Sequence, residues 1–290
     1  MTTDHPLHLE EPVEAENASI ILGMSGWMDG GDVSTGTVEW LIDEGQAELV
    51  GWIDPEDFYI FNFPGSMEVT ALFRPHAKIE AGLLEQYEAP TNDIYYSEKF
   101  NLLLVLGKEP HLRWASFASC LFELAEQTGA AELLFLGSVA GVVPHTRDAR
   151  LRCSASDGEL LEALTQRGAG VSEYEGPAGF ITHLMAHGPD AELRVGSMVA
   201  EIPAYIQGRN PKGIEAGLRQ LAGYLERPFE LDALRSLGEQ WEKRIDEAVA
   251  KRSDLAEHIH KLEADYDHEV FDTQMGDLKD WLEKQGIQVD

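Results

Sequence analysis

Short apolar runs alternate along the chain with stretches whose apolar residues recur every three or four positions. That alternation predicts strands and helices in turn. SIILGMS (19–25) predicts a buried strand, and Val38, Leu41 and Ile42 give 34–45 one apolar helical face. LVGWI (49–53) and FYIFNF (58–63) predict strands, and the alternation in DIYYSE (93–98) predicts another; the rest of 64–100 has no clear period. NLLLVLG (101–107), ELLFLGS (132–138) and LRVGSMVAEI (193–202) predict further buried strands. Between the first two, Trp114, Phe117, Cys120, Leu121 and Leu124 recur at helical spacing until Gly129 stops the pattern. A polar loop containing proline leads to a helix around 157–168, and 211–228 is a helix with proline near its start and at its end. Buried strands separated by helices predict an α/β layered domain with a largely parallel sheet.

This domain runs from about 19 to 228. Residues 1–18 read as a flexible acidic arm, and 229–290 as a C-terminal helical extension. In the extension Leu231, Leu234, Trp241, Ile245, Val249, Leu255, Ile259 and Leu262 follow three-and-four spacing. This predicts one long helix, or two with a break near Ser253. Its apolar stripe needs a cover, either the chain's own domain or another subunit.

Charge narrows the function. The 290 residues hold 52 Asp and Glu against 22 Lys and Arg, a formal net charge of −30. Such a surface repels phosphate backbones, which argues against nucleic-acid binding. No apolar stretch is long enough to span a bilayer, so no membrane partner is expected. The first nineteen residues have neither the basic flank nor the apolar run of a signal peptide, and a cytoplasmic location is expected. Fifteen acids precede the first Lys or Arg, Arg74. That excess serves solubility, or it selects a basic partner. Cys120 and Cys153 are two isolated cysteines in apolar runs, read as buried thiols rather than a disulfide framework or a zinc site. His183 and His187 have metal-compatible spacing, but no Glu follows His183. No metal or cofactor is expected.

Candidate chemistry lies in four loops that each follow a candidate buried strand. In parallel sheets such loops meet at the carboxyl edge, where ligands bind. In GWMDGGD (26–32), Gly26, Gly30 and Gly31 permit positive φ and close backbone approach beside Trp27. Asp29 or Asp32 there caps the next helix or meets a ligand. In GKEPHLRW (107–114), Glu109 is a general base, a partner for Arg147, or a charge at a helix start. In GVVPHTRDAR (141–150), Arg147 is the best anion-binding candidate, with His145 and Thr146 beside it. A plain salt-bridge cluster with Asp148, Arg150 and Arg152 is the rival reading. In EIPAYIQGRNPKG (201–213), Glu201 and Tyr205 need polar partners.

Taken in order, GMSGWMDGG, LGKEPHLRW, GVVPHTR and AEIPAYI resemble the proteasome assembly chaperone family, and more narrowly its bacterial branch, common in actinobacteria. The resemblance covers roughly 19–228, and the helical extension suits that branch. It implies a three-layer α/β/α sandwich similar to purine nucleoside phosphorylases, self-association with trimers among the forms, and no established catalytic residue. Eukaryotic relatives dock through a C-terminal tail with a penultimate tyrosine; here the last residues are Gly286, Ile287, Gln288, Val289 and Asp290. The first functional expectation is therefore a non-catalytic protein-binding, assembly-chaperone-like factor with a partner such as a proteasome component. The alternative is a nucleoside-like hydrolase or phosphorylase. In it Arg147 holds an anion, Glu109 binds a hydroxyl and Asp29 works in acid–base catalysis.

Overall fold

The computed structural model describes residues 5–284 apart from Glu11, Glu14 and Leu72; the tail at 286–290 lies outside the described residues. The strands are β1 (Leu7–Leu9), β2 (Ser19–Ser25), β3 (Glu48–Ile53), β4 (His76–Glu80), β5 (Leu83–Glu88), β6 (Asp93–Ser97), β7 (Leu102–Lys108), β8 (Glu132–Gly141), β9 (Arg150–Ala155), β10 (Gly170–Val171) and β11 (Arg194–Pro203). The helices are α1 (Val33–Glu44), α2 (Met67–Ala71), α3 (Trp114–Thr128), α4 (Gly158–Thr165), α5 (Phe180–His187), α6 (Pro211–Tyr224), α7 (Asp232–Val249) and α8 (Ser253–Lys284).

Among the described residues one nine-stranded sheet runs β1-β3-β6-β7-β2-β8-β11-β9-β10, and β4 and β5 form a separate hairpin. The central four strands β7, β2, β8 and β11 are mutually parallel. They are the apolar runs read as buried strands, and layers on both faces cover them. Towards the edges the pairing turns antiparallel: β6 on β7, β3 on β6, β1 on β3, and β9 on β11. On one face Ile20, Leu22, Leu103, Val105, Leu133 and Phe135 pack against α3 and α5 through Phe117, Leu121, Phe180 and Leu184. On the other face Ile21, Leu102, Leu104, Leu134 and Leu136 pack against α1, α4 and α6 through Val38, Leu41, Leu160, Ile214 and Leu218. The result is the three-layer α/β/α sandwich. Each fully buried Leu or Phe contributes about 1.5–3 kcal/mol.

Three readings need correction. The segment 58–63 is not a strand. Pro55 and the positive φ of Asp57 (73°) turn the chain, and the adjacent Phe58 and Tyr59 are both buried, which a half-buried strand cannot do. The carbonyl of Phe58 instead accepts from the N–H groups of His111 and Leu112 at 2.9 and 3.1 Å. The acidic arm is partly built into the body. Leu7–Leu9 pairs with Gly51–Ile53 as an edge strand, and Ala15 and Ala18 are buried. Strand β9, antiparallel to β11, sits where a polar loop was expected, with Arg150 and Arg152 interrupting its apolar residues.

The extension is two helices that break just before Ser253, and they cover this chain. Leu231 and Leu234 join the α1-side core, while Ile259 and Leu262 of α8 are also buried. Among the described residues no helix is long and apolar enough to cross a membrane.

Candidate functional site

The four loops leave the ends of β2, β7, β8 and β11. Because these strands are adjacent and parallel, all four loops reach one rim. Bonds between loops confirm it: Glu109 N–H donates to Ser25 O (2.9 Å), Ser138 N–H to Met28 O (2.8 Å), and Asn210 N–H to Gly31 O (2.7 Å). The glycines allow this closeness. Gly26 has φ +147° with a built Cβ 2.9 Å from Glu109 Cβ, and Gly31 has φ +63° with one 2.8 Å from Asn210 Cβ. The Ser138 hydroxyl donates to the carbonyl of Gly30.

The first two loops share one cluster. Asp29 Oδ1 accepts from the N–H groups of Ser34 (2.8 Å) and Thr35 (3.1 Å), and Oδ2 accepts from the Thr35 hydroxyl (2.9 Å). Asp29 therefore serves the first turn of α1, whose N–H groups lack helical partners. Burial, with a small contribution from Asp32, pushes its carboxyl up to about 6 against those bonds. Glu109 bridges three segments: Oε2 accepts from Trp27 N–H (3.0 Å) and Oε1 from Phe180 N–H at the start of α5 (2.9 Å). Trp27 itself is exposed.

The last two loops meet under the extension. The His145 side chain is fully buried. Its Nδ1 lies 2.8 Å from the Tyr205 hydroxyl and its Nε2 3.0 Å from Asp246 of α7. The Tyr205 hydroxyl also accepts from the His145 backbone N–H (2.9 Å). A neutral ring with its proton on Nε2 satisfies every partner: Tyr205 donates to Nδ1 and Nε2–H donates to Asp246. Burial raises the Tyr205 phenol. Thr146 Oγ1 donates to Glu263 (2.5 Å). Arg147 forks onto Asp267, Nε and Nη2 each 2.8 Å from a carboxylate oxygen, with Glu263 at 3.5 Å. Arg150 binds Glu269 (2.7 Å) and lies 4.1 Å over the Tyr266 ring, and Arg152 binds Glu201 (3.2 Å). The basic stretch 147–152 is thus occupied largely by acids of α8, and Glu109 is not the partner of Arg147.

The rim brings the residues together but leaves little room among them. The cavity beside Met28, Glu109 and Phe180, and the one beside His145, Arg147 and Glu201, each measure about 10 Å³. That is space for one water. Arg147 pairs at a position one-third exposed, so Arg147→Met is expected to cost about 1 kcal/mol or less in urea unfolding. Among the described residues no cluster of three or more His, Cys, Asp or Glu could hold a metal ion. Cys120 and Cys153 are buried and free, with burial pushing both thiols up to about 11.

Two features escaped the sequence reading. Lys108, next to Glu109, faces a separate cleft. The β4–β5 hairpin stands off the sheet with every residue of both strands exposed. Period-two continuation of Leu102, Leu104 and Leu106 would have found Lys108; a hairpin exposed on both faces has no period to read.

The model of the PAC2 family matches residues 23–249. A Streptomyces avermitilis PAC2 family protein is similar to this chain at 27% identity and a TM-score of 0.70, covering 83% of this chain and 99% of its own. A Mycobacterium tuberculosis proteasome-assembly chaperone homologue is similar at 25% identity and a TM-score of 0.72, with 83% and 99% covered. A Corynebacterium glutamicum protein of unknown function shares the fold at 20% identity and a TM-score of 0.79, with 92% and 98% covered. No curated protein matches the chain.

Proposed function

The chain belongs to the PAC2 family, and from that premise we propose that it is a protein-binding, assembly-chaperone-like factor with no catalytic step of its own. One observation carries the reading: the hairpin with α2 presents Met67, Ile79, Leu83, Leu84 and Tyr87 to solvent, each at least 60% exposed. A two-stranded hairpin is marginal by itself, and a concentration of exposed apolar side chains marks a protein contact. The hairpin is the arm through which copies of the chain associate, a trimer being one of the forms that the family resemblance implies. The paired rim supports the non-catalytic part. Asp29, Glu109 and Arg147, the residues a nucleoside hydrolase or phosphorylase would use, each serve groups of their own chain. The similar Mycobacterium tuberculosis protein is described as a proteasome-assembly chaperone homologue. This supports a cytoplasmic role with a proteasome component among the partners.

Light scattering coupled to size exclusion tests the arm. The full chain is expected to run as an oligomer, and Leu83→Asp with Leu84→Asp to run as a monomer with an unchanged far-ultraviolet circular dichroism spectrum, since both side chains are exposed in the single chain. Salt adds a sign. Surfaces of charge −30 repel each other, so self-association strengthens as salt rises, whereas contact with a basic partner weakens. A wild-type monomer at every concentration and salt, together with no binding to proteasome subunits, defeats the reading.

A further inference from the structure

The open room at the carboxyl rim lies on the α1 side of the sheet. A cleft of about 300 Å³ opens between the ends of β2 and β7 and the chain entering the β4–β5 hairpin. Ser25, Thr35, Phe73, Arg74, Leu106 and Lys108 are among its walls. Its size reaches the lower end of small-molecule sites.

Strand alternation explains why Lys108 is there. Leu102 and Leu104 pack in the α1-side core, with Leu106 against it, so Lys108, two residues on, faces the same way. On β2 the same rule turns Ser25 to the face of Ile21.

The charges are unusual for this chain. Glu39 and Glu88 also line the cleft, but both are engaged: Glu39 with Arg209 at 2.8 Å, and Glu88 with His76 at 3.6 Å and with Gln86. The Lys108 ammonium and the Arg74 guanidinium have no hydrogen bond or ion pair among the described residues. Two unspent cations thus share one cleft in a protein with more than twice as many acids as bases. Burial without a counter-charge lowers the Lys108 pKa. An anion would offset that desolvation.

We propose that this cleft binds a small organic oxyanion, a carboxylate or a phosphate monoester on a flat apolar body. Lys108 and Arg74 hold the oxyanion, the Ser25 hydroxyl adds a neutral donor, and Phe73 and Leu106 lie against the body. The site does not rest on the chaperone reading, and it adjoins the paired cluster through two walls, Thr35, which binds Asp29, and Ser25, whose carbonyl holds the Glu109 N–H.

Calorimetry on the full chain at low salt tests it with benzoate and phenyl phosphate as probes and neutral benzamide as control. At least one anion is expected to bind saturably, one per chain, and benzamide about ten-fold more weakly or worse. Whichever anion binds tighter tells carboxylate from phosphate. Lys108→Met and Arg74→Met are each expected to weaken binding about ten-fold or more. Arg113→Met is expected to leave it unchanged, because Arg113, on the same edge, is engaged by Asp57 at 2.5 Å. On the wild-type chain, which needs no variant to fold, the bound anion should slow acetylation of Lys108 by acetic anhydride, read by peptide mass spectrometry. The proposal is overturned by saturable binding of neither anion, by benzamide binding as tightly, by undiminished binding to a folded Lys108→Met variant, or by unprotected Lys108.

Discussion

Glu109→Ala is expected to lower the unfolding free energy by about 3 kcal/mol, measured by urea denaturation. One carboxylate accepts from Trp27 N–H at 3.0 Å and from Phe180 N–H at 2.9 Å, while the Glu109 backbone N–H holds Ser25 O at 2.9 Å. The side chain therefore ties the first loop and the start of α5 to the end of β7. Hydrogen bonds to a charged group are worth about 1.5–3 kcal/mol each. The Trp27 bond is solvent-exposed and the Phe180 bond part-buried, so water recovers some of the first and little of the second. That places the loss nearer one full bond than two. Glu109→Gln should recover less than half of it, because its amide keeps one acceptor oxygen and turns an NH₂ towards the second donor. A loss under about 1 kcal/mol in the alanine variant would mean that the loops hold their places without Glu109.

The layered body is legible in the sequence because its signals are local. Central strands buried on both faces read as plain apolar runs, and α3 announces itself by its Leu121 and Leu124 spacing and by Gly129, left-handed at φ +73°. The meeting of four loops follows from parallel order alone. What escaped depends on distant partners. Leu7–Leu9 is a strand only because Gly51–Ile53 lies beside it, and β9 carries two arginines in six residues because its acids come from β11 and α8. The fate of Arg147 could not be read locally either: Asp267, which takes its fork, lies 120 residues further on. The residue type announced an anion, and the fold supplied one from its own extension. Lys108 was overlooked for the opposite reason. Its charge has no hydrogen-bond or ion-pair partner among the described residues, so only the face it shares with Leu104 and Leu106 distinguishes it.

Asp29→Asn is expected to stabilise the protein at pH 8 by about 2 kcal/mol, with the gain vanishing towards pH 4. Burial pushes the Asp29 carboxyl from 3.8 to about 6 in the folded chain. Between those values the folded state binds more protons than the unfolded state. The contribution of Asp29 to stability is thus complete below about pH 4, falls as pH rises through the window, and levels off above about pH 6. Two pKa units correspond to about 3 kcal/mol, and partial exposure of the residue reduces that figure. Asparagine keeps an oxygen for the Ser34 and Thr35 N–H groups and can donate its amide to the Thr35 hydroxyl, so α1 keeps its first-turn partners without a buried charge. Glu263 and Asp267, whose carboxyls are held low by Thr146 and Arg147 respectively, act with the opposite sign. They lose stability as pH falls, but in both proteins alike, so the difference between variant and wild type isolates Asp29. The measurement is the melting temperature of each from pH 4 to pH 8. A variant less stable than wild type at pH 8 would show that the negative charge at the start of α1 outweighs its burial, and Asp29 would then be a cap working in its ionised form.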